Sequence, residues 1–315
     1  MPVYPGTSPE PFSSTPALRL AASDGEPAPA SRADPDRPLG HVPAPVTVLH
    51  QESFESGIPN VARIYDALLG GKDNFAVDRE AALALTAAIP GAARAARDNR
   101  AFLGRAVHYL AAEAGITQFL DIGSGLPTAM NTHDVARAVN PDARVVYADS
   151  DPVVVSHARA LLAKAPGVLA VEGEVQYPRD LLGRREVRDV MDFSRPVAVL
   201  LVAVLHFLGD CESPWQVVEA ISRRVAPGSF VVISHVTGDQ ISPEAVTRAR
   251  DIYAGFTQGT ARSRARIMAL FDGLGLVPPG LVDVAAWRSG SELPTRPTLF
   301  WAGIGRKPGA EDDPQ

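Results

Sequence analysis

Hydrophobic residues recur at helical spacing in the first patterned part of the chain, residues 58–115. The segments "VARIYDALLGG", "DREAALALTAAI" and "NRAFLGRAVHYLAAEAG" place apolar residues three and four positions apart, as on one face of a helix. Gly70 and Gly71 are expected to end the first of these helices, and Gly115 is expected to end the third. This part of the chain therefore predicts three helices.

After residue 115 the pattern changes to short apolar runs that alternate with helical segments. We predict helices at "THDVARAVN", "PVVVSHARALLAK" and "WQVVEAISRRVA", and a long helical region over residues 243–274. Strands are expected at "QFLDIG", "RVVYADS", "VLAVEGEV", "PVAVLLVAVL", "SFVVISHV", "LVDVAAW" and "TLFWAGIGR". The last two strands have no helix between them, so one of them is expected to run antiparallel to the rest.

This alternation predicts an α/β fold with a doubly wound, mostly parallel seven-stranded Rossmann-like sheet and a helical N-terminal cap. The run "PVAVLLVAVL" is apolar throughout, which is typical of a central strand covered on both faces. We place the cap, which would act as a lid, at residues 53–115 and the Rossmann-like domain at 116–307. Residues 1–52, rich in proline and alanine, and residues 308–315 are predicted to be disordered tails.

Composition narrows the class of protein. The chain has 315 residues, 46% of them hydrophobic, and a formal net charge of −6, so a nucleic-acid partner is not expected. No apolar run reaches the roughly 20 residues of a membrane span, and we predict a cytoplasmic protein. Cys211 is the only cysteine, which excludes an internal disulfide and a thiolate metal cluster, and no metal site is predicted.

The candidate chemistry begins at "FLDIGSGLPT", where the first predicted strand runs into a glycine turn. Gly123 and Gly125 permit unusual backbone angles and a close approach by a ligand. Asp149 ends the second strand, where an acid can accept hydrogen bonds from ribose hydroxyls. Asp151 and Pro152 follow and are expected to begin the next helix as its N-cap and first residue.

The residues around the turn disfavour two phosphate-bearing ligands. A dinucleotide fingerprint needs a third glycine where the chain has Thr128, and the Asp121 carboxylate would repel a pyrophosphate. A phosphate loop around Lys72 fails because Asp66 stands where that motif needs glycine and Asp73 where it needs a hydroxyl residue. S-Adenosylmethionine fits better, because it has free ribose hydroxyls, no phosphate, and positive charge on its sulfonium and ammonium groups.

The turn resembles the first motif of class I S-adenosylmethionine-dependent methyltransferases, D-x-G-x-G-x-G. Asp121, Gly123 and Gly125 match, whereas Pro127 replaces the third glycine. In that family the loop and its acid contact the amino-acid part of the cofactor, and an acid that ends the second strand holds the ribose. The resemblance implies cofactor contacts at Asp121, Gly123, Ser124, Gly125, Asp149, Ser150, Glu174, Val175 and Ala203.

Longer strings resemble a narrower actinobacterial family known only as S-adenosyl methyltransferase, formerly a family of unknown function. They include "ARIYDALLGGKDNFAVDREAA", "NRAFLGRAVHYLAAEAGITQFLDIGSGLPTAMNTHDVA", "ARVVYADSDPVVVSHARALLA" and "DFSRPVAVLLVAVLHFL". The resemblance runs from Ile58 to the last strand. One departure is "EVQYP", where that family commonly reads D-x-R-D-P. We expect Glu174 to take the place of the first acid of that motif, in the region that lies beside the adenine in class I enzymes.

The residues that would act on the methyl acceptor are less constrained by the sequence. His206 follows the fourth strand and is our candidate for the base, with His133 and His235 as weaker candidates. The polar segment "LLGGKDNFAVDRE" is a candidate lid in which Lys72, Asp73 and Asn74 would face the site. The candidate substrate contacts are Tyr65, Lys72, Asp73, Asn74 and Arg100, the last at the start of the third cap helix.

The leading hypothesis is an S-adenosylmethionine-dependent methyltransferase that acts on a small molecule. Two alternatives stay open. One is a non-catalytic S-adenosylmethionine-binding regulatory protein, and the other is a NAD-dependent oxidoreductase on the same architecture. The missing third glycine and the charge of Asp121 weigh against the oxidoreductase.

Overall fold

The computed structural model describes residues 57–290, Arg296 and residues 298–309. The predicted N-terminal tail, residues 1–52, lies outside the described residues, and so do all but two residues of the predicted C-terminal tail. Within the described part of the chain, no helix combines the length and apolar character that crossing a membrane requires.

Three helices precede the sheet, as the sequence predicts: α1 (Val61–Leu69), α2 (Ala76–Ala88) and α3 (Ala92–Ala112). Asn60 caps α1 by accepting hydrogen bonds from the backbone of its first turn, and Gly70 ends it in the left-handed conformation. The third helix begins at Ala92, seven residues before its predicted start at Asn99. The stretch after Gly91 is rich in alanine, which favours helix and extends α3 toward its N-terminus. Arg100 therefore lies inside α3, and its predicted position at the start of that helix is wrong.

The rest of the described chain alternates strands and helices. The strands are β1 (Gln118–Ile122), β2 (Arg144–Asp149), β3 (Val168–Glu172), β4 (Ala198–Val202), β5 (Phe230–Val236), β6 (Gly275–Leu276), β7 (Val282–Asp283) and β8 (Phe300–Arg306). The helices are α4 (Thr132–Val139), α5 (Pro152–Leu161), α6 (Pro178–Gly183), α7 (Arg185–Val190), α8 (Pro214–Arg224), α9 (Pro243–Tyr253) and α10 (Arg264–Met268). Short 3-10 turns cover Leu205–Phe207, Asp210–Glu212 and Ala269–Phe271.

The strands form one mixed sheet in the order β3-β2-β1-β4-β5-β8-β6, with β7 also paired to β8. The first five strands pair in parallel, and β8 runs antiparallel to β5, β6 and β7. The predicted doubly wound sheet with an antiparallel strand near its end is confirmed. It contains one strand more than predicted among the described residues, because β6 was not expected as a strand.

The predicted long helical region over residues 243–274 is wrong in its continuity. Helix α9 ends at Tyr253 and α10 begins only at Arg264, with a non-helical connection between them. Hydrogen bonds to other elements replace helical ones in this connection: the Thr260 amide donates to the His206 carbonyl and the Arg262 amide to the Val236 carbonyl. The connection therefore packs along the carboxyl ends of β4 and β5.

Alternating side chains of each central strand enter different hydrophobic layers. In β1, Phe119 packs in the layer that contains Phe102 of α3, whereas Leu120 and Ile122 pack in the layer on the other face of the sheet. A third apolar cluster holds the cap helices together and includes Ile64 of α1, with Leu85 of α2. The cap thus has a small core of its own, and α2 also packs against α9.

A buried ion pair fixes the start of the cap. The Arg63 Nε lies 2.7 Å from Asp78 Oδ2, and the Asp78 side chain is completely buried. Asp78 also accepts hydrogen bonds from the amides of Asn60 and Phe75 at 2.9 and 2.8 Å. One carboxylate therefore holds the first turns of α1 and α2 together.

We expect Asp78→Ala to lower the free energy of unfolding by about 3–5 kcal/mol, because it leaves the Arg63 charge buried without its partner. Chemical denaturation of the full chain measures this loss. Glu80→Ala is the matched control, since Glu80 is an exposed acid on the same helix and its removal should change stability by less than about 0.5 kcal/mol. Equal stability of the two variants would contradict the structural role of Asp78.

Candidate active site

The candidate site lies where the strand order of the sheet reverses. From β1 the chain winds outward through β2 and β3 and then returns to β4 on the other side of β1. Ligands of doubly wound sheets bind at such a crevice, beyond the carboxyl ends of the strands. Here a cavity of about 490 Å³ extends from the turn after β1 to helices α1, α2, α3 and α9.

The glycine turn forms one wall of this cavity. Gly123 and Gly125 have φ angles of +70° and +67°, in the left-handed region that favours glycine. A Cβ atom added to Gly123 would lie 2.4 Å from Val204 Cγ2, so no larger residue fits there without a shift. A Cβ atom added to Gly125 would meet no atom within 4 Å, so the backbone at this position borders open space.

Two acids flank the turn, the buried Asp121 and the half-buried Asp149. Asp121 Oδ2 accepts a hydrogen bond of 2.7 Å from the Thr132 hydroxyl, and burial raises the pKa of Asp121 to about 6. Asp149 accepts hydrogen bonds from the Gly125 amide through Oδ2, at 2.9 Å, and from the Asp151 amide through Oδ1, at 3.0 Å. Burial also raises the pKa of Asp149, and these amide bonds partly oppose that shift.

Asp151 caps α5, as the sequence predicts. Its Oδ1 accepts from the Val153 amide at 2.7 Å, and Pro152 occupies the first helical position. Its Oδ2 also accepts a 2.7 Å hydrogen bond from the Asn60 side chain, which the sequence did not suggest. Asp151 therefore joins the sheet to the start of the cap helix α1.

The structure brings most of the predicted site residues to this one cavity. The nine predicted cofactor contacts line it, namely Asp121, Gly123, Ser124, Gly125, Asp149, Ser150, Glu174, Val175 and Ala203. Tyr65, Arg100 and His206 line it too. Arg100 donates a hydrogen bond to the Met130 carbonyl at 3.1 Å, which ties α3 to the loop before α4.

Three predicted lid residues lie elsewhere. Lys72, Asp73 and Asn74 are absent from the cavity wall, and the side chain of Lys72 is exposed. The Asp73 amide and the Asn74 side chain donate to Asp66 Oδ2, at 3.0 and 2.7 Å. Polar groups of this segment therefore supply the hydrogen-bond donors that the buried Asp66 carboxylate needs. The three residues themselves do not line the cavity.

A chain of hydrogen bonds joins the cap to the sheet at the cavity. The Asn99 side chain donates to the Tyr65 hydroxyl at 2.9 Å and accepts from the Ser234 hydroxyl at 2.6 Å. Ser234 Oγ accepts in turn from the amide of Ala203, a residue held at a φ of +57°. The two cap helices α1 and α3 are thereby fixed to the ends of β4 and β5.

His206 lies on the 3-10 turn after β4 and is buried against other aromatic rings. Neither of its ring nitrogens has a hydrogen-bond partner within the described part of the chain, and Nδ1 is fully enclosed. Burial, followed by the nearby His235 and Arg262, holds the pKa of His206 well below its usual range. The imidazole is therefore neutral near pH 7, and a ring nitrogen is able to accept a hydrogen bond.

The turn that carries His206 is held by a buried arginine. Arg262 donates to the carbonyls of Leu205 and Leu208, at 3.3 and 2.8 Å, and pairs with Asp210 at 2.8 Å. It also donates to His235 Nε2 at 2.9 Å, while His235 Nδ1 lies 2.7 Å from the Val236 carbonyl. Both nitrogens of His235 are thus engaged, which leaves His206 as the histidine with free nitrogens at the cavity.

The remaining histidine candidate lies away from the cavity. His133 Nδ1 lies 2.8 Å from the Tyr147 hydroxyl and its Nε2 lies 3.2 Å from Asp134, and it is absent from the cavity wall. Its bonds tie α4 to β2.

Sequence reasoning missed several residues of the site. Asn99 and Ser234 carry the link between cap and sheet, and Phe207 and Tyr253 form an aromatic side of the cavity. Two signals could have identified Asn99 and Ser234: the first is a polar residue on the apolar face of α3, and the second lies inside the apolar run "FVVISHV". Polar residues at such buried positions need hydrogen-bond partners. Nothing in the local sequence pattern around Tyr253 indicates that α9 lines the cavity.

Comparisons with known proteins agree with this geometry. The sequence model of the family described as S-adenosyl methyltransferase matches residues 48–308. A crystal structure of a proposed methyltransferase from Thermobifida fusca YX is 45% identical, covers 80% of this chain and 96% of its own, and superposes with a TM-score of 0.75. A DUF574 family protein from Streptomyces avermitilis MA-4680 is 36% identical, covers 79% of this chain and 98% of its own, and also has a TM-score of 0.75.

The chain has no significant match among curated proteins. The family match spans both the cap helices and the sheet, so it includes every element that lines the cavity. The chain therefore belongs to the S-adenosyl methyltransferase family, whose cofactor is S-adenosylmethionine.

Proposed function

We propose that this protein transfers the methyl group of S-adenosylmethionine to a small-molecule acceptor bound between the glycine turn and the cap helices. The observation that carries the proposal is the single cavity that joins the turn after β1 to α1, α2, α3 and α9. The acceptor and the cofactor would share this space, which would hold the reacting atoms together. A cytoplasmic location is carried over from the sequence as part of this proposal.

The residues of the turn fit the cofactor. No hydrogen bond reaches Asp121 Oδ1 from the described residues, so this oxygen is available to the ammonium group of the cofactor. The open space at Gly125 leaves room for the amino-acid part. Asp149 would hold the ribose hydroxyls, and Glu174 and Val175 would lie beside the adenine. When bound, the cofactor supplies an electrophilic methyl group on its sulfonium.

The remaining cavity residues serve the acceptor in this proposal. His206 receives the proton when the acceptor must lose one, since its imidazole is neutral and has no competing hydrogen bond within the described residues. Tyr65 and Arg100 contribute to the wall on the cap side. Lys72, Asp73 and Asn74 have no direct part in the proposed reaction, because they lie away from the cavity.

Ligand binding separates this proposal from the two alternatives. We expect the protein to bind S-adenosylhomocysteine in equilibrium dialysis and not to bind NAD, because the Asp121 carboxylate repels a diphosphate. We expect Gly123→Val to abolish cofactor binding, because its side chain would collide with Val204. Binding of NAD without S-adenosylhomocysteine would overturn the proposal. Binding of S-adenosylhomocysteine with no methyl transfer to any tested metabolite would favour the regulatory alternative.

Asp121→Asn should stabilise the ligand-free protein and weaken its binding of S-adenosylmethionine. The pKa of Asp121 rises from 3.8 to about 6 in the folded protein, so between these values the folded state binds more protons than the unfolded state. Stability therefore falls as pH rises through this window, and the variant should recover up to about 3 kcal/mol at pH 7 and almost nothing at pH 3.5. Thermal unfolding at the two pH values measures the difference.

The raised pKa of Asp121 also predicts how cofactor binding depends on pH. Protonated Asp121 carries no charge to pair with the cofactor ammonium, so the affinity of the wild type should decline as pH falls below about 6. The Asn variant should bind weakly at every pH and lack this decline. Titration calorimetry between pH 5 and pH 8 tests both expectations, and a wild-type affinity that is constant over this range would contradict the role of Asp121.

Asp149→Ala should weaken S-adenosylmethionine binding by about 1.5–3 kcal/mol, the range for a hydrogen bond to a charged group. Asp151→Ala is the comparison, because it removes an N-cap and should mainly cost about 1 kcal/mol of stability. Calorimetry and denaturation on both variants distinguish the two acids. A larger loss of affinity in the Asp151 variant would mean that the ribose binds to Asp151.

A further inference from the structure

We infer that the methyl acceptor is an uncharged, flat, apolar molecule that carries a hydroxyl group, a phenol in chemical class, and that Tyr253 and Phe207 bind it beside His206. This inference rests on the proposed function, because it concerns the acceptor end of the same cavity. Four observations support it: the apolar wall, the aromatic side, the hydrogen bonds that the charged groups there already make, and two polar groups that lack partners within the described part of the chain.

Aliphatic side chains from three helices line part of the cavity. They are Leu68 of α1, Leu85 of α2 with Ile89 directly after that helix, and Val246 and Ala249 of α9. Removal of apolar surface from water contributes roughly 25 cal/mol per Å², so such a wall favours an acceptor with an apolar body. A strongly hydrated acceptor would lose its water shell here without gaining hydrogen bonds.

One side of the cavity is aromatic. The rings of His206 and Phe207 are 4.3 Å apart between centroids, and those of Phe207 and Tyr253 are 6.0 Å apart. Phe300 lies 6.0 Å from His206 and also lines the cavity. Aromatic rings pair favourably at these centroid distances, so a planar ring can lie against this side and place a substituent at His206.

The charged groups near this end already have partners or lie in water. The Asp66 carboxylate is buried and accepts from the Asp73 amide and the Asn74 side chain. Arg100 donates to the Met130 carbonyl, and the Arg250 side chain is exposed. Burial of a charged acceptor costs more than burial of an uncharged one, and the hydrogen bonds that Asp66 and Arg100 already make reduce what either group can offer to it.

Two polar groups at the cavity have no partner within the described part of the chain. They are the nitrogens of His206 and the hydroxyl of Tyr253. Burial raises the pKa of Tyr253 to about 12, so its hydroxyl stays protonated and can donate, while the neutral His206 can accept. A hydroxyl on the acceptor can donate to His206 and accept from Tyr253, which would satisfy both groups at once.

The transfer balances for this class of acceptor. The phenol oxygen forms a bond to the methyl carbon as the sulfur–methyl bond breaks, and the electron pair of that bond stays on sulfur. The phenol O–H bond breaks with its electron pair remaining on oxygen, and the proton passes to His206. The products are an aryl methyl ether, S-adenosylhomocysteine and a protonated imidazole, whose low pKa lets it release the proton to solvent.

Three matched probes test the acceptor class by calorimetry on the protein saturated with S-adenosylhomocysteine. They share one ring system and differ in charge: 1-naphthol is neutral, 1-naphthoate is an anion and 1-naphthylmethylamine is a cation. We expect 1-naphthol to bind at least tenfold more tightly than either charged probe. No saturable binding of 1-naphthol, or binding of a charged probe with equal or greater affinity, overturns the inference.

Tyr253→Phe tests the predicted hydrogen bond while keeping the ring. We expect this variant to bind 1-naphthol about threefold to tenfold more weakly and to bind S-adenosylhomocysteine as the wild type does. Tyr109→Phe is the control, because Tyr109 lies on α3 outside this cavity and packs on Trp287. An unchanged affinity for 1-naphthol in Tyr253→Phe overturns the role of Tyr253.

The closing measurement distinguishes the two proposals. If the wild type does not bind S-adenosylhomocysteine, the proposed function fails before the acceptor is considered. If it binds S-adenosylhomocysteine and produces the methylated amine or the methyl ester but no 1-methoxynaphthalene, the acceptor class is wrong while the proposed function stands. Formation of 1-methoxynaphthalene from 1-naphthol and S-adenosylmethionine supports both.

Discussion

The hydrogen-bond chain from Tyr65 through Asn99 and Ser234 to the Ala203 amide is the interaction on which the site depends. It reaches the Ala203 amide at the end of β4, where Ala203 takes a φ of +57° and where the Ser234 carbonyl also accepts from this amide. A buried polar group without a partner costs about 1–3 kcal/mol, so the buried side chains of Asn99 and Ser234 depend on each other. Because its two ends lie on the cap and on the sheet, satisfying it places the cap over the glycine turn.

At the turn after β1, two carboxylates lower the stability of the folded protein, whereas the hydrogen-bond chain raises it. Asp121 is buried with a pKa of about 6, and the pKa of Asp149 is also raised by burial, so both carboxylates are held in a place that disfavours their charge. In the proposed function, the ammonium group of the cofactor would relieve this cost at Asp121, and the ribose hydroxyls would donate hydrogen bonds to Asp149.

His206 depends on residues distant from it in sequence. Arg262 donates to the carbonyls of Leu205 and Leu208 on either side of it, and so holds the turn on which the imidazole lies. Burial, followed by His235 and then by this guanidinium, lowers the pKa of His206 and keeps it neutral. A residue that fixes the position of the candidate base therefore also contributes to its protonation state, although Arg262 itself lies outside the cavity wall.

The sequence by itself determined the parts of this protein that local physics controls. Apolar spacing predicted α1, α2 and most of α3, alternation predicted the sheet, and the glycines of the turn and the Asp151 cap follow from backbone conformation within a few residues. The sequence predicted that one of the last two strands runs antiparallel, because no helix separates them, and the structure shows that this strand is β8. The domain boundaries and the tails stay predictions of the sequence.

Only the tertiary structure decided which polar residues meet. Asn99 and Ser234 are 135 positions apart, and their hydrogen bond exists because α3 crosses the end of β5. The segment with Lys72, Asp73 and Asn74 has the sequence of a lid, yet Asp73 and Asn74 donate to the buried Asp66 carboxylate, and none of the three lines the cavity. The local sequence pattern indicates which residues favour burial or need hydrogen bonds. The partners of these residues are set by packing between elements far apart in the chain.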